Sequence, residues 1–332
     1  LLQISGEWQD DARFMLAKLY YREKRSGKAA DEIMKVLNES KDKSLIDSAQ
    51  QMIEDLVWTV YDASDKLPGD DIRALVFDTT GRPCIWVGTS VGITRFDLET
   101  DYLTGEKILP EADVKALAAD NQYLWVVTTN TGVKRYDKTK KTWTAYTKKE
   151  GLFDDKASAI STDKDSVWLG TMSGIYQYNK RTGNWKNYTA EDGLTSDEII
   201  SIASTPGGVW CGTMKKGTSV FNSSTGGWQE VDDPAVSGDK SISYIISGAN
   251  HVWFAWYEDL RNGVSRYDVN AKSWKEWPIT EWEEDIDSSG GSSTPKNVNS
   301  SAINLGANDK EAWVGTDTIA LFYNYSTSEW SS

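Results

Sequence analysis

Five residues whose types can recognise a polar ligand fall close together in this chain: Trp256, Tyr257, Glu258, Asp259 and Arg261. Two aromatic rings beside two carboxylates and a guanidinium combine a stacking surface with charged hydrogen-bonding groups, the chemistry of sugar or peptide recognition. Trp282 lies in a second unusual stretch, EWEEDIDSSGGSSTPKN, that runs from Glu281 to Asn297. Inside it Asp285-x-Asp287-x-Ser289-Gly290 has the first half of a calcium loop, with oxygen ligands at alternate positions and a Gly for the sharp turn. Lys296 stands where such a loop needs a bidentate Glu, and no helical pattern flanks it. A flexible acidic linker is the better reading, so no cofactor is expected and calcium is the one metal to consider.

Catalytic groupings are scarce. His251 is the only His and sits two residues before Trp253 at a strand start, which fits a partly buried structural imidazole better than a general base. Asp154-Asp155 and Glu283-Glu284-Asp285 could supply the two carboxylates of glycoside cleavage, which need a separation of about 5 to 9.5 Å. Cys84 and Cys211 lie beside anchors three modules apart, which argues against a disulfide between them. No phosphate-binding glycine loop or zinc spacing appears. The charge excludes another class: 36 basic minus 50 acidic residues gives −14, unsuited to a sequence-independent grip on nucleic acid. No apolar run approaches the roughly 18 residues of a membrane span. The chain begins at Leu1, so any signal peptide or lipid anchor is expected to lie outside it.

The candidate residues must be held by a repeat. From Val57 onward one module recurs six times, anchored by Trp86, Trp125, Trp168, Trp210, Trp253 and Trp313, with spacings of 39, 43, 42, 43 and 60. After each anchor comes a tight turn, with Gly92, Gly132, Gly174, Gly217 or Gly263 in modules one to five, then a strand ending in an aromatic followed by Asp or Asn. Seven residues later stands another Trp, except in module one, where Leu103 takes its place. Each module reads as four short strands, and six such sheets predict a mainly β protein, a β-propeller of about six four-stranded blades, or seven if the chain is truncated. The modules lie near 71–110, 113–152, 155–194, 197–236, 240–279 and 298–332. Residues 57–62, around Trp58 and Tyr61, are expected to close the ring by pairing with the Tyr323 strand.

The repeat is broken in one region. Anchor to turn Gly takes six or seven residues in modules one to four but ten in module five, and the linker to module six is longer as well. Both insertions enlarge one rim of a propeller, and Trp256, Tyr257, Glu258, Asp259, Arg261 and Trp282 are expected there together. The anchor Trp residues recur in register and are assigned to packing between blades.

Residues 1–56 read as a small all-α segment. Ala12, Met15, Leu16, Leu19 and Tyr20 recur at helical spacing, as do Ile33, Val36 and Leu37, and Leu45, Ile46, Ala49, Met52 and Ile53 mark a third helix. The first two helices resemble a tetratricopeptide repeat, with Leu16, Ala17 and Tyr20 matching its first helix and Ala29 and Ile33 its second.

Glu150-Gly151-Leu152, Asp192-Gly193-Leu194, Trp86-Val-Gly-Thr89 and Trp168-Leu-Gly-Thr171 carry a second resemblance. In their order, residues 57–332 are similar to the two-component regulator propeller repeat of bacterial sensor proteins. That resemblance implies recognition, often of carbohydrate, in the periplasm or outside the cell. The expected function is a non-enzymatic recognition protein that binds a glycan or a protein partner at the module-five rim. Two alternatives are an assembly scaffold working through the helices and a polysaccharide hydrolase or lyase.

Overall fold

The structure is a computed structural model that describes residues 9–55, 61–100, 102–150, 152, 156–205, 208–248, 250–259, 261–278, 304–307, 311–315, 320–325 and 329–331. It forms two compact units, 1–114 and 115–332.

The first unit holds three helices, α1 (Gln9–Arg22), α2 (Ser26–Glu39) and α3 (Lys43–Asp55), and one sheet. The helices arise where the sequence places its 3.6-residue apolar stripes, and they bury Phe14, Ala17, Ala29, Ile33, Val36, Leu45, Ala49 and Met52 in a common core. The sheet is β1 (Ile72–Asp78), β2 (Cys84–Thr89), β3 (Gly92–Asp97) and β4 (Tyr102–Leu103), paired in that order. The turn between α1 and α2 docks on it. Arg25 Nε donates to the Thr100 carbonyl at 2.8 Å, Lys24 pairs with Asp65 at 2.5 Å, and the Tyr61 hydroxyl donates to the Lys24 carbonyl. The Tyr61 ring meets Phe96 edge-on at 5.6 Å. The division between units falls after module one, at 114/115.

The second unit contains modules two to six, each an antiparallel four-stranded sheet with its strands in chain order. Module two is β5 (Val114–Ala119), β6 (Tyr123–Thr128), β7 (Val133–Asp137) and β8 (Thr142–Tyr146). Module three is β9 (Ala159–Thr162), β10 (Ser166–Thr171), β11 (Gly174–Asn179) and β12 (Trp185–Tyr188). Module four is β13 (Ile199–Thr205), β14 (Gly208–Thr213), β15 (Thr218–Asn222) and β16 (Gly227–Glu230). Module five is β17 (Ser241–Ser247), β18 (His251–Glu258), β19 (Arg261–Asp268) and β20 (Ser273–Pro278). Module six is β21 (Asn304–Ala307), β22 (Glu311–Gly315), β23 (Ala320–Asn324) and β24 (Glu329–Ser331).

The propeller unit thus has five blades, which corrects the expected six or seven. The sixth four-stranded sheet, that of module one, belongs to the unit of the helices. Repetition counts modules, whereas side-by-side packing decides which of them form one body. Ile160, Ile202 and Ile245, each paired to the residue after its anchor Trp, are 7 to 8% exposed, while Leu75 at the same position in module one is 60% exposed. Of the ring-closing segment 57–62, residues 57–60 lie outside the described residues. The outer neighbour of β23 is β24 of its own module.

Blade-to-blade packing accounts for the repeated aromatics. Four of the anchor Trp residues meet the aromatic that ends the third strand of the next module: Trp125 with Tyr178 at 5.4 Å, Trp168 with Phe221 at 4.9 Å, Trp210 with Tyr267 at 5.2 Å and Trp253 with Tyr323 at 5.4 Å. The Asp or Asn after that aromatic closes the next turn by accepting two backbone N–H groups, as Asp137 does from Thr139 and Lys140 and Asp268 from Asn270 and Ala271. The Gly before the Thr of each WxGT string answers a different need. A Cβ on Gly212 would lie 2.6 Å from Cβ of Ile242 in the next blade, so the small residue lets neighbouring sheets close up.

Candidate functional site

In modules one to four the Thr that ends the anchor strand ties off the hairpin. The hydroxyls of Thr89, Thr128, Thr171 and Thr213 donate to the carbonyls of Gly92, Gly132, Gly174 and Gly217 at 2.9 to 3.0 Å. In module three the ladder ends at the pair Thr171 and Gly174. In module five the corresponding pair is Trp256 and Gly263, and the ladder continues through Tyr257 with Asn262 and Glu258 with Arg261. The insertion is therefore two further rungs of antiparallel sheet, and not a loop. Its turn lies at Asp259, which adopts left-handed backbone with φ of 50°. Gly263, expected to be a turn glycine, sits within β19; a Cβ there would lie 2.3 Å from the Trp256 ring and 2.6 Å from the Trp277 carbonyl.

Trp256 is not part of an exposed stacking surface. It is 2% exposed, with its ring against Gly263 and its indole N–H donated to Ser265 Oγ at 3.0 Å; that hydroxyl in turn donates to the Ala235 carbonyl at 2.7 Å. The Lys240 ammonium lies 4.6 Å from the ring centroid, donates to the Pro234 carbonyl and pairs with Glu276 at 3.1 Å. Lys240 and Ser265 escaped the sequence reading; the replacement of Thr by Trp at that repeat position was the available signal.

The side chains that do reach solvent are those beyond the tie. Tyr257 is 47% exposed, Asp259 and Arg261 are exposed, and Arg261 pairs with Glu258 at 2.5 Å. Beneath them Asn262 is buried. The structure brings Tyr257, Glu258, Asp259 and Arg261 together at one hairpin tip. Trp282 and the calcium-loop candidates Asp285, Asp287 and Ser289 lie outside the described residues, as do Asp154-Asp155 and Glu283-Glu284. Among the described residues, no group of three or more His, Cys, Asp or Glu could hold a metal ion.

His251 lies at the start of β18, its ring stacked on Tyr325 at 4.7 Å and Nε2 3.4 Å from the Asp268 carboxylate. Burial, and then the nearby Arg266, hold its pKa below the ordinary value despite Asp268. Cys84 and Cys211 are both buried free thiols, and burial pushes Cys211 up to about 12. Between modules two and three, Lys180 bridges the Asp120 carboxylate at 2.7 Å and the Asp163 carbonyl at 2.6 Å. Burial alone would raise the Asp120 carboxyl, but Lys180 and the backbone N–H groups of Gln122 and Tyr123 bring it below its ordinary value.

No protein-family model and no curated protein matches the chain. Among solved structures it is similar to the extracellular domain of BT4673 from B. thetaiotaomicron, described in two structures as a one-component and as a hybrid two-component system. The identities are 18% and 17% and the TM-scores 0.60 and 0.55, over 79% of this chain and 36% and 33% of those chains. A third similar structure is streptogramin B lyase, at 16% identity and a TM-score of 0.57 over 80% of this chain and 83% of that one. The fold is a β-propeller. The chain spans about a third of the length of the BT4673 domain. Among the described residues, no helix is long and apolar enough to cross a membrane.

Proposed function

We propose that the chain is a non-enzymatic recognition protein of the periplasm or cell exterior, binding a glycan or a protein partner at the tip of the module-five hairpin. The observation that carries this reading is the two-rung extension of β18 and β19, which lifts Tyr257, Glu258, Asp259 and Arg261 past the level at which the other described hairpins turn. The buried network around Trp256, Ser265 and Lys240 gives that tip a rigid base, which lowers the ordering cost of binding. The extracellular setting of the BT4673 domain supports the location.

The test is an oligosaccharide and peptide panel read by thermal shift and Trp fluorescence, with Tyr257→Ala and Arg261→Ala beside the native chain. A hit lost in both variants, with unfolding temperatures unchanged, supports the hairpin; a hit that survives both removes it.

The scaffold reading draws on one feature of the helical unit, a groove of about 830 Å³ lined by Phe14, Lys18, Tyr21, Lys43 and Met52 from α1 and α3. A partner that the full chain binds equally well with Lys18→Glu would count against it.

A further inference from the structure

One repeat position in modules three to six faces the preceding blade: the residue after the aromatic and Asp or Asn that end the third strand. It is Lys180 in module three, Ser223 in module four, Val269 in module five and Tyr325 in module six. Three of these engage the blade before them. Lys180 pairs with Asp120 at 2.7 Å, Val269 packs into the cluster around Trp210, and the Tyr325 hydroxyl accepts the Trp253 indole N–H at 3.0 Å. Ser223 is short and exposed, and beside it a cleft of about 620 Å³ opens between modules three and four.

The junctions on either side of module three carry matching acceptors. Asp120 accepts the backbone N–H groups of Gln122 and Tyr123 and the Trp125 indole N–H, at 2.8 to 3.3 Å. Asp163 accepts those of Asp165 and Ser166 and the Trp168 indole N–H, at 2.7 to 2.8 Å. At the first junction the Lys180 ammonium sits between the Asp120 carboxylate and the Asp163 carbonyl. At the second the corresponding acceptors are the Asp163 carboxylate and the carbonyl of Thr205, which takes the place of Asp163 in module four, and both residues line the cleft. The position that would bring the ammonium is Ser223, and among the described residues no cation pairs with the Asp163 carboxylate. Lys164 and Asp165 are the other charged residues lining the cleft; both are exposed on the β9 to β10 turn, and Lys164 pairs with no carboxylate among the described residues. Trp168 and Phe221, in contact at 4.9 Å, form an aromatic part of the wall.

We infer that the cleft between modules three and four binds the ammonium group of an aliphatic primary amine, as the neighbouring junction holds that of Lys180. An alkylammonium brings several donors to one point, enough for a carboxylate and a carbonyl together, and a methylene stem that can lie along aromatic rings. An anionic ligand would meet two carboxylates and one exposed lysine, and a neutral sugar would bring no charge to Asp163. The amine can come from a lysine side chain of a peptide or from a free diamine. This cleft is separate from the module-five hairpin, and the two readings stand or fall independently.

The test adds pentane-1,5-diamine or Nα-acetyl-lysine amide to the full chain labelled with nitrogen-15 in its Trp residues, and follows the indole N–H signals by NMR. The Trp168 signal should shift with both amines and not with Nα,Nε-diacetyl-lysine amide, which has no ammonium. The Trp125 signal, whose carboxylate already holds Lys180, should stay in place. Ser223→Lys installs the module-three residue and should weaken amine binding by about tenfold or more, while Ser223→Ala leaves it unchanged. Asp163→Asn should also abolish binding, but Asp163 holds its own turn, so Ser223→Lys is the deciding variant. Tighter binding of the lysine amide than of the diamine supports a peptide lysine as the source, and the reverse order supports a free amine. A Trp168 signal unmoved by either amine, or a shift that Ser223→Lys leaves intact, overturns the site and leaves the hairpin to its own panel.

Discussion

Modules three and five share a repeat and differ at one hairpin. Module three ends its anchor strand in Thr171, turns at once, and ties the anchor indole to its own Asp163 at 2.7 Å. Module five places Trp256 where that Thr stands, runs two rungs further, and ties its anchor Trp253 to Tyr325 of the next module at 3.0 Å. The first arrangement ties its Thr hydroxyl and its anchor indole within the blade and presents a short tip. The second spends a large buried side chain on holding a longer one. The contrast separates what the repeat needs to pack from what one module adds.

Restoring the repeat residue should have the largest effect. Trp256→Thr removes a fully packed ring and leaves a cavity over Gly263, and stability should fall by about 3 kcal/mol, read from the urea midpoint. Asp120→Asn breaks the charge-assisted contact between modules two and three and should cost about 2 kcal/mol at neutral pH. The sign follows from the depressed carboxyl: its contribution is present above the ordinary 3.8 and is lost as pH falls through the lower folded value, so native and variant should converge in acid. Thr171→Val removes a hydroxyl that donates to the Gly174 carbonyl and accepts from the Ser173 N–H, and should cost about 1.5 kcal/mol, well under its module-five counterpart.

His251 sharpens the comparison through pH. Its folded pKa lies below the ordinary 6.5, so between those values the unfolded chain binds more protons and stability rises with pH. Stability should therefore drop as pH falls below 6.5 towards the folded value, and His251→Phe, which can keep a stack on Tyr325, should flatten that part of the profile. Smallest of all, Tyr257→Ala and Arg261→Ala should alter stability by no more than about 0.5 kcal/mol while removing binding.

Most of this architecture was legible because it is periodic. Anchor Trp residues at spacings of 39 to 43, with an aromatic and Asp or Asn after each, determine four strands per module, and the aromatic contacts between modules follow. The tip was legible only in part. An insertion of four residues adds two to each strand, an even phase that lets the ladder extend without turning any side chain to the wrong face, so Trp256 keeps the buried place of a Thr. Gly263 was misread as a turn for the same reason: the turn moved outward and the glycine stayed, required by the ring across it. The count of blades was not legible, because Leu75 and Ile160 look alike in sequence and differ only in what covers them.

Hydrogen exchange of the full chain, with and without the strongest ligand from the panel, measures the hairpin's role most directly. Recognition at module five requires new protection concentrated in residues 255–263, with the helices and modules two and six unchanged. Protection confined to α1 and α3, or spread over the opposite turns while 255–263 exchange as before, would contradict it.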